Sequence, residues 1–132
     1  QAGLLLADTA RYAEKQLFVA QCGVDPARIA AIGGIEARGV DLWAERERVL
    51  DLLTEAGKNL LAAGRVQVLL LGCLSFLGLA HPLSERLGVP VVDPAVAPVA
   101  LAECLVRQGL KTSRKAYPVP PLRKRTWQSG QL

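Results

Sequence analysis

Cys73 is the residue whose type and setting most directly permit chemistry. It follows Gly72 at the end of an apolar run, residues 66–71, and precedes Leu74 and Ser75. A thiol between a buried strand and the first turn of a helix meets unpaired backbone N–H groups. Those groups favour an anion, either the thiolate or a substrate carboxylate. A thiol so placed can serve as base, acid or nucleophile. The bland alternative is a small buried apolar residue. Cys22 and Cys104 fall inside helix patterns, where that alternative dominates. His81, beside Pro82, lies in the helix after Cys73, where a surface or capping role is the ordinary one. Asp93, before Pro94, is placed to cap the last helix and also to orient a loop at the site.

The elements needed to position these groups follow from the hydrophobic pattern. Residues 3–7 form a short apolar run that reads as a strand. Asp8 and Thr9 then offer a helix cap, and residues 9–21 read as a helix ended by Gly23. Residues 28–32 are a weaker strand. The longest helix is expected over 42–63, with Val49, Leu52, Leu53, Ala56, Leu60 and Leu61 on its apolar face. Residues 66–71 form the strongest strand, apolar enough to be covered on both sides. A helix over 76–87, a strand over 89–92 and a helix over 95–108 complete the pattern. The last helix carries Val99, Ala102, Leu105 and Val106 on one face.

This is an α/β order, βαβαβαβα, which calls for a four-stranded parallel sheet with helices on both faces. Ligands bind such sheets at the carboxyl ends of the strands. Ala7-Asp8-Thr9, the stretch from Gly72 to Ser75, and Asp93-Pro94 all reach that edge. No glycine-rich phosphate loop follows any strand. One histidine does not build a Ser/His/Asp set.

The net charge of +4 is uneven. Lys111, Arg114, Lys115, Arg123, Lys124 and Arg125 form a basic end with no acids, and the remaining body is slightly acidic. Three prolines, Pro118, Pro120 and Pro121, forbid a helix there, and the end is expected to be extended. No aromatic interleaving suggests base stacking, so no nucleic-acid partner is expected. No apolar run approaches the length of a spanning helix, so no membrane partner is expected. Three widely spaced cysteines suit neither a disulfide framework nor a zinc site, and no metal is expected. A reducing cytoplasm is the expected compartment. There is no methionine, and the chain opens at Gln1 directly into an apolar stretch. That suggests a piece of a longer polypeptide, with residues 1–94 as an α/β lobe, 95–109 as a terminal helix and 110–132 as a basic tail.

Two ordered segments carry a family resemblance. They are Val68-Leu69-Leu70-Leu71-Gly72-Cys73 and the run from Leu83 through Glu85-Arg86-Leu87-Gly88-Val89-Pro90 to Pro94. They continue into Leu101-Ala102-Glu103, then Gly109-Leu110-Lys111-Thr112-Ser113, Tyr117 and Pro120-Pro121. This set resembles the C-terminal half of the aspartate/glutamate/hydantoin racemase superfamily, and within it the hydantoin (allantoin) racemase branch.

The resemblance implies two similar α/β lobes facing across a cleft, each giving one cysteine. It implies no cofactor, neither pyridoxal phosphate nor metal. One thiolate removes the proton at the stereogenic carbon and the opposite thiol delivers one to the other face. Cys73 matches the second-lobe cysteine, with Leu74 and Ser75 supplying backbone N–H groups. Asp8 and Thr9 stand where the family places substrate-binding threonines. Two departures bear on the substrate: Leu74-Ser75 replaces a common Ala-Gly, and Ala7-Asp8-Thr9 replaces the threonines. The resemblance also implies a terminal helix that crosses to the first lobe. The expected full-length protein is a homo-oligomeric isomerase acting on a small cyclic ureide or amino-acid derivative. This piece is expected to be inactive alone. Other expectations on the same residues are decarboxylation or isomerisation through an enolate, and a non-catalytic binding domain.

Overall fold

The computed structural model describes residues 1–37 and 39–119. Four parallel strands form one sheet in the order β2-β1-β3-β4. They are β1, Ala2–Leu6, β2, Ile29–Gly34, β3, Val68–Leu71, and β4, Val91–Val92. The helices are α1, Tyr12–Gln21, α2, Arg46–Ala62, α3, Ala80–Leu87, and α4, Val96–Arg107. The expected βαβαβαβα order is therefore the observed one.

The strand order fixes where the helices go. The chain leaves β1 for the edge strand β2, then returns across β1 to β3. Right-handed crossovers in opposite directions put α1 on one face and α2 and α3 on the other. The packing agrees, since α2 touches β1, β2 and α3.

The core lies between the sheet and α2 and α3. Leu5 pairs in register with Leu71, and both are buried with Leu69, Val49, Leu53 and Leu83. Each such side chain contributes about 1.5–3 kcal/mol by leaving water. The strand residues that alternate with these, Leu4 and Leu70, are half-buried, and Val92 is exposed.

The α2 helix starts later than the pattern predicts. The Asp41 carboxylate accepts from the N–H groups of Trp43 and Ala44, both at 2.9 Å, and the Asp41 N–H donates to the Glu45 side chain at 2.9 Å. This reciprocal cap occupies residues 41–45, and the regular helix begins at Arg46. The buried face is also rotated. Leu50, Thr54 and Gly57 are buried beside Val49, Leu53 and Leu60, while Leu52, Ala56 and Leu61 are half-buried.

The helix expected over 76–87 is interrupted. A 3-10 turn, Leu74–Phe76, comes first, and α3 begins at Ala80. Leu77 takes an extended ψ of 128° and Gly78 a φ of +80°, a left-handed conformation that glycine adopts without steric cost. Every residue of α4 is exposed, including Val99, Leu105 and Val106. Residues 120–132, with Pro120, Pro121 and the last three basic residues of the tail, lie outside the described part.

Candidate active site

The site is built where β1 and β3 end side by side. The Gly72 N–H donates to the Leu5 carbonyl at 2.8 Å, carrying the strand pairing one residue beyond β3. A Cβ at Gly72 would stand 3.0 Å from that same carbonyl oxygen and 2.9 Å from Leu6 Cδ2. Only glycine lets the two strand ends approach this closely.

Cys73 follows with extended dihedrals, φ −136° and ψ 133°, as the cap of the 3-10 turn. Its carbonyl accepts from the Phe76 N–H at 3.0 Å. The Leu74 and Ser75 amides precede this first bond of the turn, so its geometry gives them no internal acceptor. The Cys73 thiol is free and half-buried, whereas Cys22 and Cys104 are free and exposed. Cys22 closes α1 rather than lying inside it.

Two residues outside the turn hold it in place. Arg46, at the start of α2, donates to the Ser75 carbonyl at 2.7 Å and also to the Leu77 carbonyl. Its guanidinium lies 5.2 Å from the Trp43 ring centroid. From the other side, the Asp93 carboxylate accepts from the Gly78 N–H at 2.8 Å, the Ala95 N–H at 2.9 Å and the Val96 N–H at 3.1 Å. Partial burial works against the Asp93 charge. The three backbone donors, with the nearby Arg46, outweigh it and hold the carboxyl below the ordinary aspartate range. Asp93 thus joins the loop after Cys73 to the cap of α4. The last residue of the turn, Phe76, is fully buried and anchors it in the core.

The facing wall comes from the end of β1. Asp8 caps a 3-10 turn, Thr9–Arg11, by accepting from the Ala10 N–H at 2.9 Å. The turn runs directly into α1. A cleft of about 250 Å³ opens between the two strand ends, lined by Leu6, Ala7, Asp8, Arg11, Lys15, Gly72 and Cys73.

Asp8 and Cys73 are therefore brought together. The other sequence-predicted residues stand around them. The Thr9 hydroxyl donates to the Glu36 carboxylate instead of lining the cleft. Leu74 is 67% exposed, and the Ser75 carbonyl is held by Arg46. His81 is exposed and sits 3.6 Å from Glu85, away from the cleft lining. Arg11, Lys15 and Arg46 were missed by sequence reasoning. Arg11 and Lys15 line the cleft with Asp8, but a spacing of four between two surface cations does not by itself mark which strand end they face.

Among the described residues larger depressions lie elsewhere, about 330 Å³ between α1 and β2, about 510 Å³ at the end of α4 and about 390 Å³ between Leu77 and the start of α4; none is lined by a thiol, and of the three the last alone has a carboxylate, Glu103. Among the described residues no cluster of His, Cys, Asp and Glu could hold a metal ion. Among them, no helix is long and apolar enough to cross a membrane.

The family model for Asp/Glu/hydantoin racemases matches residues 12–102 of the chain. The chain belongs to that family.

The curated relatives include a hydantoin racemase from Pseudomonas sp. (strain NS671), 37% identical over 82 residues, 61% of this chain and 33% of the relative. A second, the hydantoin racemase of Paenarthrobacter aurescens, is 39% identical over 77 residues, 58% of this chain and 33% of the relative. The matched stretch is thus about a third of each curated relative. Among solved structures, the allantoin racemase from Pseudomonas fluorescens superposes with a TM-score of 0.74 at 25% identity, over 96% of this chain and 54% of that one. The allantoin racemase from Klebsiella pneumoniae gives a TM-score of 0.78 at 23% identity, over 97% and 52%. The chain therefore has the racemase fold and spans about half the length of those solved racemases.

Proposed function

We propose that this chain is one lobe of a two-lobed, cofactor-independent racemase acting on a cyclic ureide of the hydantoin or allantoin type, working in the cytoplasm, with Cys73 as its acid/base. The observation that carries this reading is the half-buried Cys73 thiol on a cleft between the carboxyl ends of β1 and β3, with Asp8 on the facing wall. Membership of the racemase family supports the reaction class. The hydantoin racemases among its relatives support the substrate class.

Inversion at a carbon acid needs a base on one face and an acid on the other. In the proposed step the Cys73 thiolate takes the proton from the stereogenic carbon. The C–H electron pair moves into the adjacent carbonyl, giving an enolate and a neutral thiol. The Leu74 and Ser75 N–H groups hold the enolate oxygen. A thiol of the facing lobe then returns a proton to the opposite face of the carbon and becomes the thiolate. Asp8 orients the ureide nitrogens, and Thr9, tied to Glu36, holds the turn that carries Asp8. The reverse direction exchanges the roles of the two thiols.

The test is turnover of an enantiopure 5-substituted hydantoin, followed by loss of optical rotation. The two-lobed polypeptide is expected to racemise it, and the 132-residue chain alone is expected to be inert. Turnover by the isolated chain would contradict the half-site reading. A two-lobed polypeptide inert toward hydantoins and allantoin alike would contradict the substrate class.

A further inference from the structure

We infer that the cleft at Cys73 selects substrates bearing a carboxylate substituent, and that Lys15 and Arg11 are the residues that read it. This rests on the racemase reading of the same cleft and narrows its substrate to an acidic cyclic ureide. The cleft is lined by two cations, Arg11 and Lys15, against one carboxylate, Asp8. The Asp8 carboxylate already accepts the Ala10 N–H. Arg11 is paired with Glu14 at 2.6 Å. Lys15 makes no salt bridge among the described residues. Its ammonium lies 5.5 Å from the Phe18 ring centroid, and the residue is half-buried while most of α1 is exposed.

The spacing adds a physical argument. Like charges four residues apart on a helical face repel, at a cost of a few tenths of a kcal/mol. Arg11 and Lys15 stand four residues apart at the rim of the cleft that contains the thiol, and Glu14, bonded to Arg11, offsets part of their repulsion. An anionic group bound in the cleft would offset the remainder, chiefly at Lys15, which has no salt bridge among the described residues. A neutral substituent would leave Lys15 without a counter-charge. Conflicts between a local preference and the fold concentrate at functional sites.

The charge of the cleft can be read with the chain itself, using alkylation of its three cysteines by iodoacetate and by the neutral, near-isosteric iodoacetamide. In both reactions the thiolate attacks the CH₂ carbon, a C–S bond forms and iodide leaves. The measured quantity is the ratio of the iodoacetate rate to the iodoacetamide rate at each cysteine. Cys22 and Cys104 serve as internal references. The ratio at Cys73 is expected to exceed theirs by about two- to fivefold, the scale of an exposed ion pair, and to fall with added salt. Lys15→Gln and Arg11→Gln should each lower it at Cys73 alone, and Lys15→Arg should preserve it. Equal ratios at all three cysteines, or a Cys73 ratio that Lys15→Gln leaves unchanged, would overturn the inference.

A titration of backbone amide shifts with hydantoin-5-acetate and with neutral 5-methylhydantoin decides the case if Cys73 resists both reagents. Larger shifts at residues 7–15 and 72–75 with the acidic ligand, reduced by Lys15→Gln, support the inference. Identical responses to the two ligands refute it. Neither measurement depends on turnover, so a failure here leaves the racemase reading standing. Retained racemisation without Cys73 would remove that reading while leaving the charge selectivity measurable.

Discussion

The guanidinium of Arg46, on the first turn of α2, donates at 2.7 Å to the carbonyl of Ser75, two residues beyond Cys73. A second donation reaches the Leu77 carbonyl. One planar side chain thus holds the middle of the short turn that follows the thiol and the residue that closes it. Arginine suits this task because its donors are held in a rigid fork, which lysine lacks. Arg46→Ala should lower the stability of the chain by about 1–3 kcal/mol, because two carbonyls lose a charged donor. It should also change the alkylation rate of Cys73 with iodoacetamide while leaving Cys22 unaffected. Arg46→Lys should recover part of the stability. A urea titration and the alkylation time course check both, and an unchanged Cys73 rate in a destabilised Arg46→Ala chain would show that Arg46 does not position the turn.

Asp93 gives a prediction about acid. Burial opposes its charge, and the backbone donors at Ala95, Gly78 and Val96 lower its carboxyl below the ordinary range. A carboxyl lowered on folding contributes stability that is fully present above its unfolded value. That contribution is lost as pH falls through the folded one. Glu14, chiefly through Arg11, Asp41, through the Ala44 and Trp43 amides, and Glu45, chiefly through Arg48, shift in the same direction. The chain should therefore lose stability on acidification below the ordinary carboxylate range. Asp93→Asn should be less stable at neutral pH and show a shallower acid dependence. Parallel acid profiles for the two proteins would mean that Asp93 contributes nothing to that slope.

Gly72→Ala tests the close approach of the strand ends. The added methyl would stand 3.0 Å from the Leu5 carbonyl oxygen, with Leu6 and Leu4 side chains also in contact. Backbone cannot move aside as a side-chain tip can. A cost of about 1–3 kcal/mol is expected, together with a displaced Cys73. Thermal unfolding of the variant measures the first effect. A melting temperature equal to that of the wild type would show that the strand ends have room to separate.

Phe76 joins the site to the core. It is the last residue of the turn that presents the amides, and its side chain is fully buried. Phe76→Ala should cost about 3–5 kcal/mol, a large share of the stability of a small domain. Phe76→Leu should cost less and retain the fold. Denaturant midpoints of the two variants, read beside the Cys73 alkylation rate, separate loss of the core from loss of the turn.

The order of strands and helices was legible because apolar runs of strand length alternate with amphipathic stretches of helix length. The buried face of α2 was legible only in part. A single apolar stripe accounts for one partner, whereas α2 meets both the sheet and α3, so Leu50, Thr54 and Gly57 are buried as well. The break at Leu77 and Gly78 was hidden in a helix-like stretch, although the glycine was a usable warning. At the site, Cys73 and Asp8 were legible because both follow apolar runs. Arg11 and Lys15 were not, because a charged residue on a surface helix carries no mark of which strand end it faces. Arg46 was not legible either, since its partners are carbonyls that lie 29 and 31 residues away in sequence.

The central claim is that Cys73 moves the proton at the stereogenic carbon. The most direct measurement is racemisation of an enantiopure cyclic ureide in deuterated water by the two-lobed polypeptide, with and without Cys73→Ser and Cys73→Ala. The wild type should replace the α-proton by deuterium as it racemises. Both variants should lose racemisation by about a hundredfold or more, the usual scale for removing a general acid/base. Any remaining α-proton exchange should be confined to one enantiomer, the one served by the facing lobe. Racemisation with solvent deuterium uptake at the wild-type rate in Cys73→Ala would contradict the assignment.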